Sequence, residues 1–506
     1  MSARTRCGYG PHTGRKGFIN VEMRRAAILI ALAGLSACGT LRQPPKETMP
    51  AAFDAAGGGT ALAPAELDRW WLLFKDPQLN ALEDDAFRLS PDERTAASRI
   101  LEARATAGSA VAQTLPQGQI QGQISRQSAS NIGAPDSTDL FPIGGVTTVR
   151  QVNLNVSWEL DLFGRLAIER KIAKANYLAS RFDVEGTRAS LAASVADNYF
   201  QARGLAIQLA EAEDTDRIET ELERVASEKA KYGLGAASDA DRIAGDLSQA
   251  KAQVESLQAQ LHAAQRQLLI LVGRPYEPTA NLPVDAQVYP PPPIPAAVPG
   301  DLLTRRPDVR ESEQKFRSES GTAKLSHLAL FPTFTLLPGL GANSTTQPGV
   351  GFIPPATLFS QQQTTGLGIW TLAGSVSQPL LNIPQLLYTA KAEDARTTQA
   401  AITYEKTVQT AYGEAENALV TLAAAERAAD VLDTGESRAH RAYNDADRLY
   451  RMGLDDITTT LSAEQAWRTT RSALTSARVT ALRQAVATYK ALGGGWAYAS
   501  SDTRTR

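Results

Sequence analysis

Four short segments of the chain alternate polar and apolar residues with a period of two. In the clearest, Gln151, Asn153, Asn155 and Ser157 interleave with Val152, Leu154, Val156 and Trp158. Gln119 to Ser125 alternates likewise, and Phe334 and Leu336 begin a third segment. In a fourth, Trp370, Leu372 and Val376 share a face opposite Thr371, Ala373 and Ser375. A two-residue period is that of a strand with two unlike faces. One reading is a soluble sheet over a helical core. The other is a transmembrane barrel, whose strands meet lipid on the apolar face and water on the polar one. The polar faces carry Gln, Asn, Ser and Thr rather than Lys and Glu, as suits a lumen, and Trp158 and Trp370 suit membrane interfaces. Both observations favour the barrel. The polar segments Ala129 to Thr147 and Asn343 to Thr365 contain Gly and Pro and are expected to be long loops. Four strands cannot close a barrel, and an open edge is not tolerated in lipid. Two, three or more copies must then share one barrel.

The rest of the pattern is helical and occurs twice. Pro91-Asp92 opens a helix expected from Asp92 to Gln113, and Pro307-Asp308 opens one from Asp308 to Ala329. Each ends near an apolar residue followed by proline, Leu115-Pro116 and Phe331-Pro332. Tyr232-Gly233-Leu234-Gly235 is matched by Tyr450-Arg451-Met452-Gly453, and Leu271-Val272-Gly273 by Ala491-Leu492-Gly493. The offsets run from roughly 216 to roughly 220 positions, the mark of an internal duplication. In each half, two strands are followed by a very long stretch without proline, Leu166 to Tyr232 and Leu386 to Tyr450. Each predicts a helix roughly 100 Å long if unbroken. Gly186, Gly204, Gly413 and Gly435 are the weak points where winding can change. Gly235 and Gly453 are read as permissive backbone at the turns into the returning helices.

The expected organisation is an over-extended start at 1–22, a signal peptide at 23–37, and an N-terminal tether and equatorial segment at 38–90. Repeat 1 (91–274) and repeat 2 (301–495) flank a proline-rich strap at 275–300, and a tail occupies 496–506. Pro290 to Pro293 favour an extended strap across the outside of the helices.

The N-terminus reads as an address. Met23-Arg24-Arg25 precedes an apolar run from Ala26 to Leu35, which is too short for a membrane span. Leu35-Ser36-Ala37-Cys38 resembles a bacterial lipobox, in which Cys38 becomes the acylated first residue. Gly39 rather than Asp favours the outer membrane by analogy with lipoprotein sorting. The plainer reading makes Cys38 a small residue beside an ordinary cleavage site.

Composition removes other classes. A net charge of −2 argues against nucleic acid, whose phosphates need a basic face. Cys7 and Cys38 are the only cysteines, so the main body can build neither a disulfide framework nor a cysteine metal site. His12, His262, His327 and His440 show no ligand spacing. No nucleophile elbow, phosphate loop or dinucleotide fingerprint is present. No enzyme activity, cofactor or metal is expected.

Three motifs then point to a family. Ser157-Trp158-Glu159-Leu160-Asp161-Leu162-Phe163-Gly164-Arg165, Asp301-Leu302-Leu303-Thr304-Arg305-Arg306-Pro307-Asp308 and Tyr489-Lys490-Ala491-Leu492-Gly493-Gly494-Gly495-Trp496 resemble signatures of the TolC-like outer-membrane factor family, in its OprM/NodT-like lipoprotein branch. The resemblance covers Trp70 to Trp496. It implies a mainly α protomer with a membrane β part, which gives four strands to a twelve-stranded trimeric barrel and long helices to a periplasmic tunnel. It also implies a periplasmic membrane-fusion adaptor and an inner-membrane pump, commonly of the proton-driven RND type. The expected function is the exit duct of a tripartite efflux system for small toxic compounds. A duct for type I polypeptide secretion and a structural coiled-coil envelope lipoprotein are the rivals.

The pattern departs from the family in two places. Asn382-Ile383-Pro384-Gln385 stands where an Asp-Gly-Gly-Arg-like turn is common. Leu461-Ser462-Ala463 replaces a Leu-Asp-Ala-like triplet at the periplasmic aperture, with Thr459 one turn earlier. The nearest acids after that turn are Asp455 and Asp456. They read either as helix caps or as aperture and adaptor-contact residues, together with Gly235, Gly453, Thr459 and Ser462. The two roles are compatible.

Overall fold

The computed structural model describes residues 42–46, 49–54, 67–129, 145–233, 235–293, 299–353 and 357–495. Cys38 and the whole signal segment, Leu234, and the tail with Trp496 lie outside them. The chain divides into two compact units. Among the described residues, the first takes those of 42–43, Thr106–Lys174 and Arg317–Thr397, and the second those of Pro44–Ala105, Ala175–Phe316 and 398–495.

The elements run α1 (Pro77–Leu89), α2 (Pro91–Ala112), β1 (Gln117–Ala129), β2 (Gly145–Glu159), α3 (Arg165–Lys231), α4 (Ala237–Leu271), α5 (Pro307–Leu328), β3 (Thr333–Ile353), β4 (Thr357–Ser377), α6 (Ile383–Arg451) and α7 (Ile457–Ala491). The duplication is visible in their lengths. The first helices α2 and α5 have 22 residues each, and the returning helices α4 and α7 have 35 each. The long helices differ, with 67 residues in α3 and 69 in α6. That difference supplies part of the drift in offset along the sequence.

The sheet lies in the first unit. Its order is β1-β2-β3-β4, antiparallel throughout, so the hairpin of each repeat pairs with the other through β2 and β3. Asn343 to Thr365 is not a loop, as the sequence suggested. β3 runs to Ile353 and β4 starts at Thr357, so only a short connection divides two 21-residue strands. The Thr and Gln residues there have no apolar face to show, yet Thr345 pairs with Thr365 and Gln347 with Gln363. Backbone pairing and the β-branched Thr sustain a ladder past the point where a hydrophobic pattern can announce it. The other expected loop is also shorter than read, since β1 reaches Ala129 and β2 starts at Gly145.

The core of the second unit is built on Trp70. Its ring stacks on Tyr489 at 5.7 Å, meets Trp71 and Phe74 edge-on, and is fully buried. In a chain with 6% aromatics, these few large side chains supply much of the apolar area removed from water. Around these rings and beyond them the helices pack on small residues. Ala189, Ala192, Ala196, Ala202 and Ala206 of α3 are buried at helical spacing, and so are Ala411 and Ala415 of α6 and Ala481 and Ala485 of α7. At Gly204 a Cβ would stand 2.7 Å from Val479 Cγ2, so only glycine lets α3 approach α7 there. Winding is unbroken at Gly186, Gly204, Gly413 and Gly435. Helical hydrogen bonds and tertiary packing outweigh glycine's entropic cost of about 1 kcal/mol.

The proline-rich strap is held by its carbonyls. Prolines bring no N–H, so the segment accepts instead: Arg266 donates to Pro275 and Glu277, Gln265 to Leu282, Gln78 to Pro283, and the Tyr489 hydroxyl to Pro293.

Candidate functional site

Within the sheet, register decides which side chains share a face. Ile120 stands opposite Leu154, Leu154 opposite Leu340, and Leu340 opposite Trp370. Trp158 faces Leu336, Pro338 faces Leu372, and Phe334 faces Val376. All these apolar residues occupy even-numbered positions, so four separately read strands present one apolar face. It is uncovered in the protomer: Ile120 is 74% exposed and Trp370 76%.

The odd-numbered positions carry the polar row Gln119, Asn155, Gly339 and Thr371, and beside it Gln121, Asn153 and Gly341. Gln151 donates to Gln123, and Asn155 Nδ2 to Gln121 Oε1 at 3.4 Å. Gly339 and Gly341 make room for this row, since a Cβ would lie 2.7 Å from Thr371 Oγ1 at the first and 3.3 Å from Asn153 Cγ at the second. The polar face is interrupted by Val149 of β2, Leu337 of β3, and Leu367 and Ile369 of β4.

The first sequence signature joins β2 to α3. Glu159 ends the strand, Gly164 takes φ +79, and Arg165 begins the helix. Arg165 Nε donates to Glu159 Oε1 at 2.7 Å and Nη1 to Glu169 Oε1 at 2.7 Å. Asp161 accepts from the backbone N–H of Leu166 and Ala167, two donors that a helix start leaves unpaired. The Glu159 hydrogen bond, the largest cause, holds the Arg165 guanidinium above its ordinary range. The second repeat builds the same junction without charge. Pro384 sits in the first turn of α6, where a missing N–H costs nothing, and Leu386 N donates to Asn382 O at 3.0 Å. The sequence departure at Asn382 to Gln385 therefore leaves a regular helix start.

The other two signatures are fasteners in the second unit. Buried Arg306 donates to Asp308 at 2.6 Å, to Glu414 at 2.7 Å and to the carbonyl of Ala491 at 3.2 Å. It thus ties the start of α5 to α6 and to the end of α7. Gly493 and Gly495 take φ +81 and +88, and a Cβ on Gly495 would lie 2.8 Å from Trp70 Nε1.

Both turns between long and returning helices pack on one buried apolar cluster, with Leu222, Ala226 and Ile243 from repeat 1 and Tyr450, Ile457 and Leu461 from repeat 2. Gly453 takes φ +73 at its turn. In repeat 1 the left-handed residue is Gly233 (φ +70), not Gly235 as the Tyr-x-x-Gly match implied. Gly233 bears to Ala237 the relation that Gly453 bears to Ile457, so matching the turns through Gly235 shifts the repeats by two residues. In the correct register Asp239, in the first turn of α4, corresponds to Thr459. An acid missing from one repeat is thus present in the other, which sequence reading overlooked.

Asp456 is the N-cap of α7 and accepts from Thr459 N at 3.0 Å and from its hydroxyl at 3.4 Å. These bonds, the Thr459 backbone bond foremost, hold its carboxyl below the ordinary range. Asp455 accepts from Asp456 N at 2.8 Å, and exposed Ser462 donates to Thr458 O within its own helix. Tyr232 and Leu454 stand exposed at the tips. Among the described residues no helix is long and apolar enough to cross a membrane, and no group of three His, Cys, Asp or Glu side chains is placed to hold a metal ion.

An uncovered two-faced sheet and duplicated long helices define the class of an outer-membrane channel subunit. Residues 82–274 and 298–494 match the family model described as outer membrane efflux protein, one match per repeat, and the chain belongs to that family. It is similar to the pyoverdine export outer membrane protein OpmQ of Pseudomonas putida, with 28% identity over 488 residues, 95% of this chain and 99% of that protein. It is also similar to the probable efflux pump outer membrane protein TtgC of the same species, with 29% identity over 84% of this chain and 85% of that protein. Among solved structures, the outer-membrane channel OprN superposes with a TM-score of 0.76 at 24% identity, covering 90% of this chain and 100% of that one.

Proposed function

We propose that the chain is the exit duct of a tripartite efflux system, a passive outer-membrane channel for small toxic compounds. The observation that carries this reading is the sheet: one face apolar and uncovered, the other lined mainly with Gln, Asn and Thr, and two edge strands, β1 and β4, each with a side unpaired among the described residues. Such edges are satisfied in lipid only by closure. Three copies, each giving four strands, close a twelve-stranded barrel, with lipid outside and water within. Cys38, acylated, anchors each copy in outer-membrane lipid. The second unit's helices wall the periplasmic part of the passage, and the tips with Gly235, Gly453, Asp455, Asp456, Thr459 and Ser462 meet the periplasmic adaptor, which connects to an inner-membrane pump of RND type. The domain bounds read from sequence, with repeats at 91–274 and 301–495, fit one wall segment per repeat.

The test is single-channel conductance of the purified chain in a planar bilayer, with cross-linking to count copies. Discrete conductance steps from a trimer support the duct. A trimer or monomer giving no steps under opening conditions leaves only a spacer and ends this reading.

A further inference from the structure

One buried ionic group in the helices has no part in the lipid face, the fasteners or the caps. Glu219 of α3 and Glu464 of α7 are 1% and 2% exposed, and a single guanidinium, Arg468, stands between them. Arg468 Nη1 lies 3.7 Å from Glu219 Oε1 and Nη2 lies 3.7 Å from Glu464 Oε2. Both distances are ion-pair separations too long for good hydrogen bonds. Glu219 Oε2 has no hydrogen-bond partner among the described residues.

Among the described residues neither carboxylate has an ion pair with a second cation. Asp246 of α4 adds another negative charge close to both carboxylates. From α6, Tyr443 feels the charge of Glu464 and that of Asp447. The next arginine along α7, Arg471, is occupied by Asp214 at 3.0 Å and Glu211 at 3.5 Å. Two buried carboxylates against one partly exposed arginine leave one negative charge uncompensated, and a buried charge without a partner costs several kcal/mol. A proton removes that cost. Glu464 and Arg468 also line a cavity of about 350 Å³ with Thr215, Asp246 and Gln249, a path by which water can deliver the proton.

We propose that Glu219 and Glu464 share one proton around Arg468, and that its loss loosens α3 from α7 beside the helix tips, making this stretch of the wall a pH-responsive joint. The pair titrates as a unit, not as two independent acids. Burial first, then the charge of Glu464, push the Glu219 carboxyl up to about 7, and burial raises Glu464 as well. The folded chain therefore keeps a proton that the unfolded chain has released. The joint is tightest below the ordinary carboxylate range, weakens as pH rises through about 7, and stays loose above it. The apolar cluster formed by Leu222, Ile243 and Leu461 lies next along the same helices, so loosening reaches the tips first.

The experiment uses the purified full chain in detergent, with hydrogen exchange corrected for intrinsic rate and read in peptides covering 215–223 and 460–468 between pH 5.5 and 8.5. Protection in the parent chain is expected to fall on the order of tenfold over that range, as befits a proton lost from the folded form. In Glu219→Gln, which fixes the neutral shape, protection stays high and flat, and infrared difference spectra lose one component of the protonated-carboxyl signal that the parent sheds between pH 5.5 and 8.5. Glu464→Gln gives the same result if the proton is shared, and serves if the first variant does not fold. Flat protection in the parent, or an unchanged pH slope in either variant, overturns the proposal. Neither readout depends on conductance, so failure of the duct reading is seen separately.

Discussion

Arg165 Nε donates to Glu159 Oε1 at 2.7 Å, binding the last residue of β2 to the first residue of α3. The same guanidinium reaches Glu169 one turn into the helix. Gly164 supplies the positive φ that lets the chain turn between them. Arg165→Gln should therefore destabilise the strand-to-helix junction by about 1 kcal/mol, a value kept small because a third of the side chain is in solvent. Denaturant unfolding of the single variants and of Arg165→Gln with Glu159→Gln checks it. The double variant is expected to cost little more than either single one, and full additivity would show that the two side chains do not interact.

Left-handed glycines at helix ends should differ sharply in tolerance. At Gly233 a Cβ meets nothing within 4 Å, so Gly233→Ala costs only the backbone penalty, about 1 kcal/mol. At Gly273 a Cβ would also lie 2.6 Å from the carbonyl carbon of Leu89, and Gly273→Ala should lose about 3 kcal/mol. Equal unfolding midpoints for the two variants would contradict the packing of Gly273 on α1.

Asp456 should act through its hydrogen bonds and not through charge alone. Asp456→Asn keeps an acceptor for Thr459 N and is expected to leave exchange in the first turn of α7 nearly unchanged, whereas Asp456→Ala speeds it. A carboxylate held below its ordinary range contributes stability that is complete above that range and is lost as pH falls through the folded value. Protection at Thr459 in the parent chain, corrected for intrinsic rate, should thus fall only in acid. If Asp455→Asn with Asp456→Asn also changes cation block of single channels, the two acids reach the aperture as well as cap the helix.

The two faces of the sheet make opposite predictions for one substitution. Leu340→Arg places a charge on the apolar row of Ile120, Leu154 and Trp370 and should cost about 2–4 kcal/mol of membrane stability if that row is at mid-bilayer depth. Asn153→Arg, on the polar row, should insert normally and alter conductance and ion selectivity. Membrane fractionation together with bilayer recording reads both. Equal loss of insertion in the two variants would mean that the sheet does not separate lipid from water.

Much of this was legible in the chain because it is written in local period and repeated landmarks. Alternation in Gln151 to Trp158 and proline-bounded helical stretches depend on neighbours a few residues away, which is the range over which strand and helix geometry repeat. The duplication, the helix starts at Pro91 and Pro307 and the apolar side of each strand followed from those signals alone. What only the tertiary structure decided depends on groups brought together from afar. Backbone pairing carried β3 and β4 through a Thr- and Gln-rich stretch that has no hydrophobic face. Backbone φ, which leaves no mark that distinguishes one glycine from another two residues away, chose Gly233 over Gly235 and so realigned Asp239 with Thr459. Arg306, Trp70 and the Glu219–Arg468–Glu464 group became meaningful only when burial removed water from around them. A charge or an indole in sequence has no stated partner; in a packed interior it must have one, or a proton in its place.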